Sequence, residues 1–344
     1  MKIYPRNFLF LAYIYLPLIA YSIILYFTWR LGEVSFHWYM TVQADSVSIL
    51  EIWTVHAVLS LFAAFSPKEI TIGKKPSKLY PILLVLFFIA YIFLGIGYLR
   101  VVSFAIFIIL IVVGGYTNRV LGVLLFFSIL GVIMGYDRFP FVIPLLLWLV
   151  TKPRSFNVLL FYVSVGVLTI IFILTPIKSN QPLSEWFSDK TLAYAVIHLN
   201  PIFVSGIYFN ENKLLVEESV IESIPFAKST FNSVGTIQEL REEMERLDIQ
   251  GDFGSNSSSL PFTIAVGLSI LAMLIQLTRI QYVREIFLVY SVLYAPYFLR
   301  RNYANYINDI LVIFLIGALL FLVIYILKSN NIKHSACPGN VRSP

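Results

Sequence analysis

Five arginines, Arg30, Arg100, Arg138, Arg300 and Arg301, stand in short connections between apolar runs that hold no lysine, while the alternate connections, taken as a set, mix both cations. A guanidinium presents a planar fork of donors that grips phosphate in two parallel hydrogen bonds, a geometry an ammonium cannot reproduce. Arginines gathered at one mouth of a helix bundle therefore suit a lipid-linked phosphate or pyrophosphate. Their alternative use is structural: the side chains snorkel to headgroups or pair with Glu33, Asp137 and Asp309.

Two of these positions carry more information than the rest. Arg138 lies in Tyr136-Asp-Arg-Phe-Pro-Phe, ahead of an apolar run, Phe139 to Val150, too short to cross a bilayer fully, so its charge is expected near or below the headgroup plane. Arg300 and Arg301 lie in Tyr297-Phe-Leu-Arg-Arg-Asn-Tyr-Ala-Asn-Tyr, where residues such as Tyr303 can stack on or hydrogen-bond sugars. An aromatic belt with basic anchors is the competing reading of that segment. Two residues are candidates for acid–base work, His198 with its near-neutral titration and the carboxylate of Asp45. Asp45 has no second carboxylate two residues away, as a metal pair would require. His56 and Glu51 share one apolar run, where a proton relay competes with a plain hydrogen bond to a neighbouring helix. The Gly131-xxx-Gly135 pair is expected to allow close helix packing. No Walker, HExxH, GxSxG or CxxC pattern occurs and Cys337 is the single cysteine, so nucleotide, zinc or thiol chemistry has no motif and no cofactor or metal is expected.

The elements that must hold these residues are set by composition. Of 344 residues 58% are hydrophobic and only 13% charged, against about 25% charged in soluble domains. The expected fold is all-α, a polytopic membrane bundle, because apolar runs near 20 residues recur and no alternating β pattern appears. Ten spans can be drawn: Phe8 to Trp29, Val47 to Phe65, Leu79 to Leu99, Val101 to Tyr116, Val120 to Tyr136, Phe139 to Val150, Phe156 to Thr175, Leu260 to Thr278, Ile286 to Leu299 and Ile307 to Leu327. The first reads as a retained anchor. With both termini cytoplasmic, 14 of the 25 basic residues fall inside, as the positive-inside rule asks. The expected division is an N-terminal bundle, 1–175, an outer loop domain, 176–259, a C-terminal bundle, 260–328, and a cytoplasmic tail, 329–344. The loop domain is acidic and is expected to contain two short helices, one opened by Thr236 and Glu239 and another from Asp189 to Leu199 lying on the membrane beside Trp186.

Taken together, the span arrangement, the segment Gly135-Tyr-Asp-Arg-Phe-Pro-Phe-Val-Ile-Pro-Leu-Leu-Leu-Trp and the Arg300-Arg301 pair ahead of the last span resemble the O-antigen polymerases, the Wzy-type family. The resemblance covers most of the chain. It implies a metal-independent glycosyltransferase of the bacterial inner membrane that joins polyprenyl-pyrophosphate-linked oligosaccharide units on the outer face. Arg138, Arg300, Arg301, Arg100, Arg30 and Tyr303 would hold substrate, and His198 or Asp45 would serve as base. Membrane lipids and a chain-length regulator are the implied partners, and nucleic acid is not. No arginine of the loop domain has a glycine eleven residues on, so Arg241 and Arg246 take no role from that family's arginine-glycine pattern. The competing functions are a transporter or flippase, a metal-dependent lipid-sugar transferase acting through Asp45, and a non-catalytic scaffold.

Overall fold

The computed structural model describes residues 2–31, 46–69, 79–94, 97–136, 139–151, 154–178, 180–188, 191, 262–278, 280–298 and 311–319. Over these residues the chain is all-α apart from one two-residue antiparallel pair, β1 (Lys2–Ile3) against β2 (Arg154–Ser155). The helices are α1 (Pro5–Leu31), α2 (Ser46–Ser60), α3 (Leu79–Phe93), α4 (Gly97–Gly114), α5 (Asn118–Ile133) and α6 (Phe139–Thr151). They continue with α7 (Phe156–Lys178), α8 (Phe262–Leu277), α9 (Gln281–Phe298) and α10, 311–319. A 3-10 turn, Leu61–Phe65, extends α2.

Contacts define two ends. At the proximal end the β1–β2 pair joins the start of α1 to the α6–α7 connection, and Lys68 Nζ sits 4.2 Å over the Tyr4 ring. The Tyr116 hydroxyl of the α4–α5 turn donates to Leu147 O near the close of α6. At the distal end the α3 and α5 termini meet, with Phe93 and Tyr136 edge to face at 5.1 Å. α9 starts proximally, where Phe287 meets Phe62 at 5.5 Å, and runs distally past Phe104. Successive helices thus alternate in direction.

α9 is the axis of the bundle. It packs on α1, α4, α6 and α8, and every residue from Phe287 to Ala295 is buried. Helices before and after the long hydrophilic segment therefore share one core. α8 reverses the polarity expected of a helix in water. Its buried face carries Ala265, Ser269, Ala272 and Gln276, while Ile270, Leu271, Leu274 and Leu277 are exposed. The Ser269 hydroxyl crosses to Val58 O at 2.8 Å. Small and polar residues inward and large apolar ones outward is the arrangement of helices surrounded by hydrocarbon.

α6 contains Pro144, which has no N–H to offer the carbonyl of Pro140 four residues back. The Ser128 hydroxyl of α5 lies 2.9 Å from that oxygen and 2.8 Å from its own Leu124 O, so a neighbouring helix completes the interrupted ladder. In α7 the residues Ile170–Leu174 form a π turn just before Pro176, and Thr175 Oγ1 donates to Ile170 O at 2.7 Å.

Among the described residues the expected apolar runs are helical, with shifted ends. α3 closes at Phe93 and α4 opens at Gly97, so Arg100, expected in a connection, stands in the first turn of a helix. α9 begins at Gln281 rather than Ile286, because Gln281 Nε2 donates to Glu285 Oε1 at 2.9 Å, one turn on. Among the described residues only Phe156–Lys178 is both long and apolar enough to cross a membrane; the other apolar helices searched have 10–17 residues. The expected loop helix at 236–247 lies outside the described residues, as do all but Thr191 of the one at 189–199, most of the span Ile307 to Leu327 and the tail.

Candidate functional site: the distal arginine end

The helix ends that bracket the arginines in sequence are distal ones. α1, whose last turn contains Arg30, runs from the proximal β1 toward that end. α4 starts there, α5 ends and α6 begins there, and α9 ends there. The turn between α5 and α6 shows how the sequence arranges this. Gly135 takes φ 86°, Tyr136 N–H donates to Gly131 O at 2.9 Å and Gly135 N–H to Val132 O at 3.0 Å. These two bonds form a Schellman motif, which stops α5 in a left-handed residue that glycine adopts without penalty. Gly131 and Gly135 therefore differ in purpose. A Cβ on Gly131 would come 2.7 Å from Ile92 Cγ2, so that glycine permits close packing, whereas nothing lies within 4 Å of a Cβ on Gly135. The expectation of a packing pair is corrected for Gly135, whose requirement is backbone conformation.

Arg100 is the one candidate whose side chain is described. Its guanidinium lies 5.0 Å from the Tyr91 ring centroid, and Tyr91 stacks on Phe104 at 4.7 Å. Phe104 meets Tyr290 edge to face at 6.3 Å, and Tyr290 stacks on Tyr294 at 5.1 Å. An aromatic series thus leads from the distal arginine into the central helix. A cation in the first turn of α4 has the same sign as the positive end of the helix dipole, an unfavourable pairing that an anion between them would reverse.

Arg138, Arg300, Arg301, Tyr303, Asp45 and His198 lie outside the described residues. His56 is 1% exposed, deep between α1 and α2, with the Tyr13 ring centroid at 6.4 Å. The residues that sequence reasoning passed over are Tyr91, Phe104, Tyr290 and Tyr294, which it counted only as parts of apolar runs. Their signal was present: Tyr290 and Tyr294 stand one helical turn apart inside such a run. No protein-family model, curated protein or solved structure matches this chain.

Proposed function

We propose that the protein is a polytopic membrane enzyme that polymerises polyprenyl-pyrophosphate-linked oligosaccharides at the outer face of a bacterial inner membrane, with the distal end outward and both termini cytoplasmic. The membrane reading is supported by the inverted polarity of α8 and by the apolar residues exposed on α3, α5 and α7, among them Leu86, Phe126 and Phe161. The catalytic reading is carried by one observation, that the helix ends bracketing Arg30, Arg100, Arg138, Arg300 and Arg301 share one end of the bundle.

In this reading an acceptor hydroxyl attacks the anomeric carbon of the carrier-linked glycan, the new C–O bond forms as the bond to pyrophosphate breaks, and the hydroxyl proton passes to His198 or Asp45. Arg138, Arg300, Arg301, Arg100 and Arg30 hold the pyrophosphate and stabilise its developing charge, while Tyr303 faces sugar. No metal is required, since guanidinium groups neutralise the leaving group. A chain-length regulator would act alongside. A carrier or flippase is the second reading, favoured by the polar residues buried on the central helix, Glu285 and Ser291 among them.

Arg138→Lys tests the catalytic reading, because it keeps charge and loses the fork. By analogy with the loss of one oxyanion donor the expected cost is about 2 to 4 kcal/mol, roughly a hundredfold or more in rate. At matched membrane abundance the surface glycan should collapse toward single repeat units. A normal glycan ladder would reduce Arg138 to a structural anchor, and an unchanged surface polysaccharide in a deletion strain would remove the polymerase reading altogether.

A further inference from the structure

After Lys178 the chain reverses along the flank of α7. Asn180 makes the reversal at φ 51°, the one non-glycine residue in the left-handed region among the described residues, and asparagine tolerates it. Gln181 N–H donates to Pro176 O at 3.0 Å, and a 3-10 turn follows at Leu183–Glu185. The polar groups of this turn largely satisfy one another. Trp186 Nε1 donates to Gln181 O at 3.1 Å, and the hydroxyls of Ser188 and Thr191 donate to Glu185 O at 2.7 and 2.6 Å.

The apolar groups do the opposite. The Phe187 ring stacks on Phe172 of α7 at 5.5 Å, and Phe172 lies six residues before Lys178, about 9 Å down the helix axis. Leu183 and Phe187 are nevertheless 77% and 78% exposed, the most exposed large apolar side chains described. On α7 itself Leu160, Phe161, Val163, Val165, Leu168 and Ile173 are exposed, at positions distributed around the helix. A protein partner covers one face of a helix, whereas acyl chains surround it.

We propose that the turn 180–188 is an interfacial anchor, seating Leu183 and Phe187 at the boundary between acyl chains and headgroups of a phospholipid bilayer. The proposal rests on the membrane reading and adds the surface that sets the depth of α7. Internally satisfied polar groups and outward apolar ones are what that boundary selects, with burial of about 5–10 Å below the headgroups.

The test uses the full chain carrying Cys337→Ser, which removes its only cysteine, with single replacements Leu183→Cys, Phe187→Cys or Leu168→Cys. Each is spin-labelled in phosphatidylethanolamine and phosphatidylglycerol vesicles, and relaxation by oxygen is compared with that by a water-soluble nickel chelate. The oxygen-to-nickel ratio at 183 and 187 should exceed that of free label in buffer several-fold, and be higher still at 168. Leu183 makes no ring contact, so it carries the test if loss of the Phe172 stack disturbs the turn. Preference for nickel at both positions would place them in water and overturn the anchor, and protection from both reagents would mean a protein covers them and overturn it equally. The label at 168 separates the two readings: oxygen preference there leaves the span standing although the anchor fails, while nickel preference sinks the span itself.

Discussion

Gly135 and Gly131 stand four residues apart and make opposite demands on substitution. At Gly135 the cost of a side chain is conformational, since φ 86° crowds any Cβ against the following carbonyl, a penalty of about 1–2 kcal/mol. Space is not the issue there. At Gly131 the conformation is helical and the penalty is overpacking against Ile92, about 1–3 kcal/mol if the isoleucine cannot yield. Both alanine variants should thus lower the unfolding midpoint in detergent. Pairing each with Ile92→Val tells them apart: the smaller neighbour should rescue Gly131→Ala and leave Gly135→Ala unchanged, and rescue of both would refute the conformational account. The same separation of causes applies to Arg100, whose fork is held over Tyr91. Tyr91→Leu removes the cation–π contact, worth about 0.5–2 kcal/mol, while keeping an apolar side chain, so stability should fall modestly without loss of insertion into the membrane fraction.

Among the elements α6 depends most on a neighbour. Pro144 interrupts its ladder and Ser128 of α5 supplies the missing donor to Pro140 O. Ser128→Ala should therefore strand a buried carbonyl at about 1–3 kcal/mol, provided Pro144 is present. In a Pro144→Ala background the restored backbone N–H meets that oxygen, and the serine substitution should cost far less. A double-mutant cycle read by unfolding in detergent measures the difference, and strict additivity would show that Ser128 does not complete α6. Such cross-helix repair is invisible to periodicity. Apolar runs located the helices well, because run length and hydrophobicity are local properties, and the boundaries of α6 came out within a residue of expectation. The starts of α4 and α9 fall before those of the apolar runs, Val101 and Ile286, because each helix takes in an arginine, Arg100 or Arg284, that bounds a run by hydrophobicity. Arg100 lies over the Tyr91 ring within α4, and there a charge does not end a helix. The tyrosines of α9 were missed for a related reason: a tyrosine in an apolar run has the same hydrophobic weight whether it faces lipid or the bundle axis.

At the scale of the molecule, alternation of helix direction collects the ends of α1, α3, α5 and α9 on one side and the β1–β2 pair on the other. Charge placement in the sequence follows that division, because every lysine of the short connections falls at the proximal helix ends while the short distal connections hold arginine alone. How the arginines meet was not legible, since convergence depends on side-chain directions that no spacing rule supplies across separate helices. The orientation itself can be tested without any assumption about catalysis. Alkaline phosphatase is active only outside the cytoplasm, so a fusion after Ser188, beyond the distal end of α7, should be active, and one after Tyr116, in the proximal α4–α5 turn, should be inactive. The reverse pattern would turn the bundle over and put the arginines in the cytoplasm, where outward-flipped lipid-linked oligosaccharides cannot reach them. Equal activity at both sites would contradict the alternation of α4 to α7, three of whose crossings lie between the two fusion points, and with it the single distal end on which the proposed pyrophosphate site depends.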